Sequence, residues 1–209
     1  MSRIHPHENK SHHGDHVGEN GGPAVLTVWK KSSMAFQGTD GFSVYDREGK
    51  LVFRVDNYSR KNRWLTGGLV LMDGAGKPLM TLKPQTLSMH DRWNGFEGED
   101  CSKRTPAFSM RKRSMVHSKD GTEVFMTCSS SPDFLIEGCF QKRCCKVMWG
   151  QSRKVVAEIC RKKANASVTL SDDVFSLVVQ PCCDRKLVMA FVVIMDRICR
   201  KSFTPFMCS

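Results

Sequence analysis

Between Ala24 and Gln180 short apolar or alternating runs recur between turn residues, and this pattern predicts a chain built of β-strands. The runs lie at 24–30, 42–46, 51–57, 68–72, 78–82, 85–89, 107–112, 123–128, 134–140, 145–149, 154–161, 166–170 and 174–180. Close to a dozen strands at this spacing fit an all-β sandwich or barrel. In the run from Phe134 to Phe140, Phe134, Ile136 and Phe140 fall on one face and Glu137 on the other, the two-residue period of a half-buried strand. The segment 90–106 holds acids, Cys101 and Pro106 with little periodicity. It reads as a long loop between two halves of the barrel.

Two stretches near the front repeat one design. Phe42–Asp46, Arg47-Glu48-Gly49-Lys50 and Leu51–Phe53 are echoed by Leu69–Asp73, Gly74-Ala75-Gly76-Lys77 and Pro78–Met80. Each predicts strand, Asp-x-x-Gly-Lys turn, strand, because Asp supplies local hydrogen bonds and Gly supplies positive φ. Ser118–Thr122, with Asp120 next to Gly121, is a third candidate turn. Metal binding or catalysis by these aspartates is the alternative to a turn role, and the turn role is preferred.

The period changes after Asp184-Arg185-Lys186. Leu187–Met195 is a run of nine apolar residues, closed by Asp196-Arg197-Ile198-Cys199-Arg200-Lys201. A helix apolar all round is buried on every side or lies in a membrane. From Asp184 to Cys199 it would be about 24 Å long against a hydrocarbon core of about 30 Å, too short to span. A buried strand is the competing reading. An N-cap at Asp184, cations at the far end, and Leu, Met and Ala favour helix; Val192-Val193-Ile194 count mildly against it. Such a helix is too wide for an eight-stranded barrel, whereas about a dozen strands give the width. The expectation is therefore a mainly β fold, a closed antiparallel barrel around Leu187, Phe191, Val192, Ile194 and Met195.

Composition adds charge and redox context. Lys and Arg number 32 against 21 Asp and Glu, a net charge of +11, which favours an anionic membrane, a nucleic acid or an acidic protein as partner. Residues 1–22 are polar, hold His5, His7, His12, His13 and His16, and show no secretory pattern. They read as a disordered tail rather than a metal-binding tract; 203–209 reads as a C-terminal tail. Without an export signal, the ten cysteines are expected as free thiols in a reducing compartment. They lack metal-ligand spacing, so most read as small buried hydrophobes, with fatty acylation near the C-terminus the lesser alternative. No cofactor, metal site or transmembrane segment is expected.

Certain stretches also resemble the plant LURP-one-related family. They are Leu26–Lys31, Phe42–Val55, Leu87–Trp93 and, most specifically, Val179-Gln180-Pro181 leading through Asp184–Leu187 into Phe191–Asp196. The resemblance covers about residues 23–202. It implies a barrel of roughly a dozen strands around a hydrophobic C-terminal helix, the arrangement of tubby C-terminal domains and phospholipid scramblases. It further implies links to plant defence, membrane tethering through phosphoinositides and a transcriptional role.

Three functional classes follow. A lipid-binding or membrane-tethered regulator draws on basic clusters, with Arg111, Lys112, Arg113, Lys142, Arg143, Arg161, Lys162 and Lys163 as candidate ligands of an anionic phospholipid or phosphoinositide headgroup; a solvated barrel exterior is the plain alternative. Alternation puts Arg111 and Arg113 opposite Phe108 and Met110. A nucleic-acid- or protein-binding transcriptional or defence regulator fits the charge but lacks a recognisable nucleic-acid motif. An enzyme could be assembled from His90-Asp91 and His117, but no Gly-x-Ser-x-Gly, phosphate loop or dinucleotide fingerprint supports it; His90 and Trp93 read instead as packing at a strand end. Scramblase activity is disfavoured because the apolar helix is committed to the core. The expectation is a non-enzymatic, soluble protein with no catalytic residues, cytoplasmic, at the surface of the plasma membrane or nuclear.

Overall fold

The computed structural model describes residues 21–31, 41–56, 68–85, 92–99, 105–113, 121–127, 129–165 and 168–200. Twelve strands, β1 (Ala24–Lys31), β2 (Gly41–Tyr45), β3 (Leu51–Asp56), β4 (Leu69–Asp73), β5 (Pro78–Pro84), β6 (Trp93–Glu97), β7 (Phe108–Lys112), β8 (Gly121–Met126), β9 (Phe134–Cys139), β10 (Cys144–Trp149), β11 (Val155–Arg161) and β12 (Val174–Val179), precede one helix, α1 (Arg185–Arg200). Each strand pairs antiparallel with its neighbours in sequence. β1 closes the ring on β12, from Ala24 opposite Val179 to Trp29 opposite Val174. Closure leaves no edge strand unpaired.

α1 fills the interior. Val188 through Asp196 are buried without a break, so every face of those turns is covered. Leu187 is partly buried at the entry, and Phe191, Val192, Ile194 and Met195 are inside. Phe191 meets Phe108 edge-on at 5.1 Å between ring centroids and Phe134 at 5.4 Å. The helix starts where the residues predict: the Asp184 carboxylate Oδ1 accepts a hydrogen bond from the Lys186 amide at 2.8 Å, and its carbonyl accepts from the Val188 amide at 3.1 Å, an N-cap satisfying otherwise orphan donors.

Both repeated turns close alike. Asp46 Oδ1 accepts from the Lys50 amide and Asp73 Oδ1 from the Lys77 amide, each at 2.8 Å; Gly49 and Gly76 hold φ of 79° and 90°. These aspartates are turn residues. The third candidate turn, 118–122, lies mostly outside the described residues, as do the strand expected at 85–89, His90-Asp91, His117 and residues 1–20 and 201–209.

Two expectations are overturned. The segment 90–106 is not one long loop, because β6 occupies Trp93–Glu97 and pairs with β5 and β7. Its inward positions are Trp93 and Gly95, and the space above Gly95 is taken by the Phe108 ring, which a Cβ there would strike. A side chain missing by steric demand hides the strand's period. The run 166–170 does not supply a wall strand; among its described residues only an isolated bridge, Lys163 with Thr169, forms. Asn165 Oδ1 accepts from the Val168 amide at 2.8 Å and the Leu170 amide donates to the Lys162 carbonyl at 2.9 Å, folding the segment back on itself.

Since strands alternate in direction, their connections fall at two ends. One end carries the turns after β2, β4, β6, β8 and β10 and the entry to α1. The other carries the connections after β1, β3, β5, β7, β9 and β11 and faces the C-terminal end of α1.

Replacing Phe191 by Ala should cost about 3–5 kcal/mol, the range for a fully buried aromatic. Urea unfolding measures it, and a midpoint equal to the parent's would contradict a helix-filled barrel.

Candidate functional site

The predicted basic residues are spread over β7, the β9–β10 turn, β11 and the segment after it, and the topology gathers most of them at or near the exit end, where β1 also ends. Their local chemistry then separates them.

Arg111 and Arg113 lie on the outer face, with Phe108 and Met110 inside. Arg111 donates through Nε and Nη2 to Glu123 Oε2 at 3.0 and 2.9 Å, and its guanidinium lies over the Phe125 ring at 4.7 Å. Arg113 reaches Glu123 Oε1 at 3.6 Å and Glu137 Oε1 at 3.9 Å, and Arg153 meets the same Glu137 oxygen at 2.8 Å. An alternating ladder, Arg111–Glu123–Arg113–Glu137–Arg153, thus crosses β7, β8, β9 and the β10–β11 turn. Register creates it, since Arg111 stands opposite Glu123. Each partly exposed link is worth about 0–1 kcal/mol, and these cations are already neutralised.

Arg143 is not a surface ligand. It is 5% exposed and holds a positive φ of 52° in the β9–β10 turn. Its Nε donates to the Asp172 carbonyl at 2.8 Å and its Nη1 to the Phe140 carbonyl at 3.4 Å. The guanidinium lies over the Phe140 and Phe175 rings, 4.6 and 4.3 Å from their centroids, in the corner that these two edge-to-face rings make. Burial lowers its pKa, opposed by the charges of Asp196, Asp172 and Asp173. Nearby, Lys30 Nζ binds Asp196 Oδ1 at 2.7 Å, tying β1 to the last turns of α1 through a carboxylate that is itself buried. The Lys30–Asp196 pair fastens β1 to the helix, and Arg143 clamps the β9–β10 turn to the β11–β12 connection.

Arg161 pairs with Asp172 at 3.0 Å, and Lys162 Nζ donates to Thr27 Oγ1 at 2.7 Å. Of the eight candidates this leaves Lys112, half-buried at the end of β7, and Lys142 and Lys163, both exposed, with no ion pair to their side chains among the described residues. Two exposed apolar side chains on the same side were not among the candidates. Trp29 and Val168, 47% and 48% exposed, are the large hydrophobic side chains left open to solvent among the described residues. Trp29 is on the outer face near the end of β1 and Val168 is in the segment after β11, so both lie on the exit side. The signal for Trp29 was strand parity: Leu26 and Val28 point inward, which sends Trp29 out.

Among the described residues no cluster of His, Cys, Asp and Glu could hold a metal ion, and no helix is long and apolar enough to cross a membrane.

A family model described as LURP-one-related matches residues 24–196. Arabidopsis thaliana protein LURP-one-related 5 is 43% identical over 175 residues, covering 83% of this chain and 82% of the relative. LURP-one-related 8 from the same plant is 34% identical over 204 residues, covering 97% and 100%. The X-ray structure of another Arabidopsis thaliana protein is similar in fold, with a TM-score of 0.62 at 24% identity, covering 86% of this chain and 93% of that one.

Replacing Arg143 by Ala should lower stability by about 3 kcal/mol, from lost cation–π contacts in a desolvated site and the Asp172 carbonyl deprived of its guanidinium donor, the Phe140 carbonyl keeping its bond from the backbone amide of residue 143. Chemical denaturation of the variant reads this directly; an unchanged free energy would mean the side chain clamps nothing.

Proposed function

Because the chain belongs to the LURP-one-related family, we propose that it is a non-enzymatic barrel that docks by its exit end on anionic lipid headgroups, phosphoinositides in particular, and so tethers a defence-related regulator at a membrane surface. The observation that carries this reading is the pairing of unneutralised cations with exposed apolar groups at one end: Lys112, Lys142 and Lys163 with Trp29 and Val168. Cations draw an anionic surface at about 1 kcal/mol each, while an indole at the interface suits the boundary between headgroups and acyl chains. The opposite end has mixed charge, with Asp46, Asp73, Glu97 and Asp184 among Arg47, Lys50, Lys77 and Lys186. The arginines of the ladder and Arg143 serve the barrel first. Changing them would test stability before affinity.

Liposome sedimentation at physiological salt tests the proposal, with and without phosphoinositide. Changing Lys112, Lys142 and Lys163 to Glu should weaken binding by at least about 100-fold, since three cations at ~1 kcal/mol each are removed. Lys50→Glu with Lys77→Glu at the opposite end should leave it unchanged. Failure of the parent to bind, an equal loss in both variants, or capture of DNA in preference to liposomes would each refute the reading.

A further inference from the structure

The cysteines do not lie where small buried hydrophobes would. Of the described ones, Cys139, Cys144, Cys160 and Cys182 are exposed, Cys183 and Cys199 are partly buried, and Cys145 alone is buried. Three of the exposed thiols are aligned by strand register. Cys144, the first residue of β10, stands opposite Cys139 of β9 on one side and opposite Cys160 of β11 on the other. Directly opposed residues share a face. Here it is the outer one, because Cys145 and Ile159, the next residues along in β10 and β11, are buried. Cross-strand partners have Cα atoms about 4.5–5.5 Å apart, inside the roughly 4.4–6.8 Å that a disulfide spans. The fold thus presents a row of three free thiols, with the central one flanked by two potential partners.

We propose that this row is an oxidation site at which a low-molecular-weight disulfide of the glutathione type is exchanged for a cross-strand Cys139–Cys144 disulfide. The Cys144 thiolate attacks one sulfur of the small disulfide, breaking its S–S bond, forming a mixed disulfide and releasing one thiolate. The Cys139 thiolate then attacks the Cys144 sulfur, the second small thiol leaves, and the protein S–S bond is formed. Two protons and two electrons pass from the protein pair to the small disulfide, which departs as two thiols. Cys160 is the slower resolving partner, because partial burial and the charge of Glu158 raise its pKa and reduce its thiolate fraction. Cys145 lies beneath the row and takes no part: burial pushes its thiol up to about 12. The new bond would close the turn Phe140–Arg143, which carries both the exposed Lys142 and the clamp residue Arg143. This site stands on register and exposure alone and does not depend on lipid binding.

The test is intact-mass and non-reducing peptide analysis of the full chain equilibrated with glutathione disulfide, quenched with acid and alkylated. The parent should lose two hydrogens, with the link mapping to Cys139 and Cys144. Cys160→Ser should oxidise like the parent. Cys139→Ser should divert the link to Cys144–Cys160 at a rate several-fold lower, and Cys144→Ser should form neither. All three substitutions are at exposed positions, and melting curves matching the parent's confirm the fold. A stable glutathione adduct on Cys144 that never resolves, links that map to other cysteines, or an unreactive parent overturns the proposal.

Discussion

Everything in this molecule answers to a helix that has no side to show to water. Val188 to Asp196 are buried on consecutive positions, so a second layer on one flank could not satisfy them. Only an enclosure could. Twelve strands give a ring wide enough for a helix about 10–12 Å across, which a narrower barrel would fill with side chains. The wall adapts locally to its contents: Gly95 gives up a side chain so that the Phe108 ring can turn toward Phe191. At the two mouths the filler must be fastened by polar groups. Asp184 caps one end, where Lys186 also meets Glu97 at 3.0 Å. Lys30 and Asp196 hold the other, where Arg143 ties two of the wall's connections together.

That enclosure also decides where chemistry can happen. An interior committed to apolar packing leaves the outer wall and the ends for partners. On the wall most formal charge is spent in pairs between neighbouring strands, including the ladder from Arg111 to Arg153 and Lys146 with Glu158 at 3.5 Å. An excess of positive charge in the composition is therefore a poor guide to the charge available for binding. What is available depends on which cations lack a carboxylate across the register, and among the eight basic candidates those are Lys112, Lys142 and Lys163.

The architecture was largely legible in the residues because its two signals are strong and local. Alternation marked most of the wall, and the unbroken apolar run from Leu187 marked the filler. Strand β6 escaped because an inward Gly reads as a turn, and 166–170 misled because Val168 and Leu170 have strand-like periodicity without a place in the ring. The site was less legible for a different reason. Whether Arg111 is free or paired depends on Glu123, twelve residues away and brought opposite by register. Arg143 looked like its neighbour Lys142, and only the aromatic corner made by Phe140 and Phe175 distinguishes a structural cation from a solvent-facing one. The cysteines failed the same way. Cys139, Cys144 and Cys160 are scattered in the chain and side by side only on the wall.

The seam between β1 and β12 has a consequence for how such a chain comes into being. The first strand's permanent neighbour is about 150 residues downstream, Ala24 against Val179, and the filler follows later still. During synthesis the meander can grow hairpin by hairpin, but it stays an open curl with a greasy lining and two unpaired borders until the final segment has emerged. Pairings so distant in sequence delay folding, and exposed borders invite association with other chains. An unfinished copy is thus a natural client for chaperones until the helix has emerged to fill the ring.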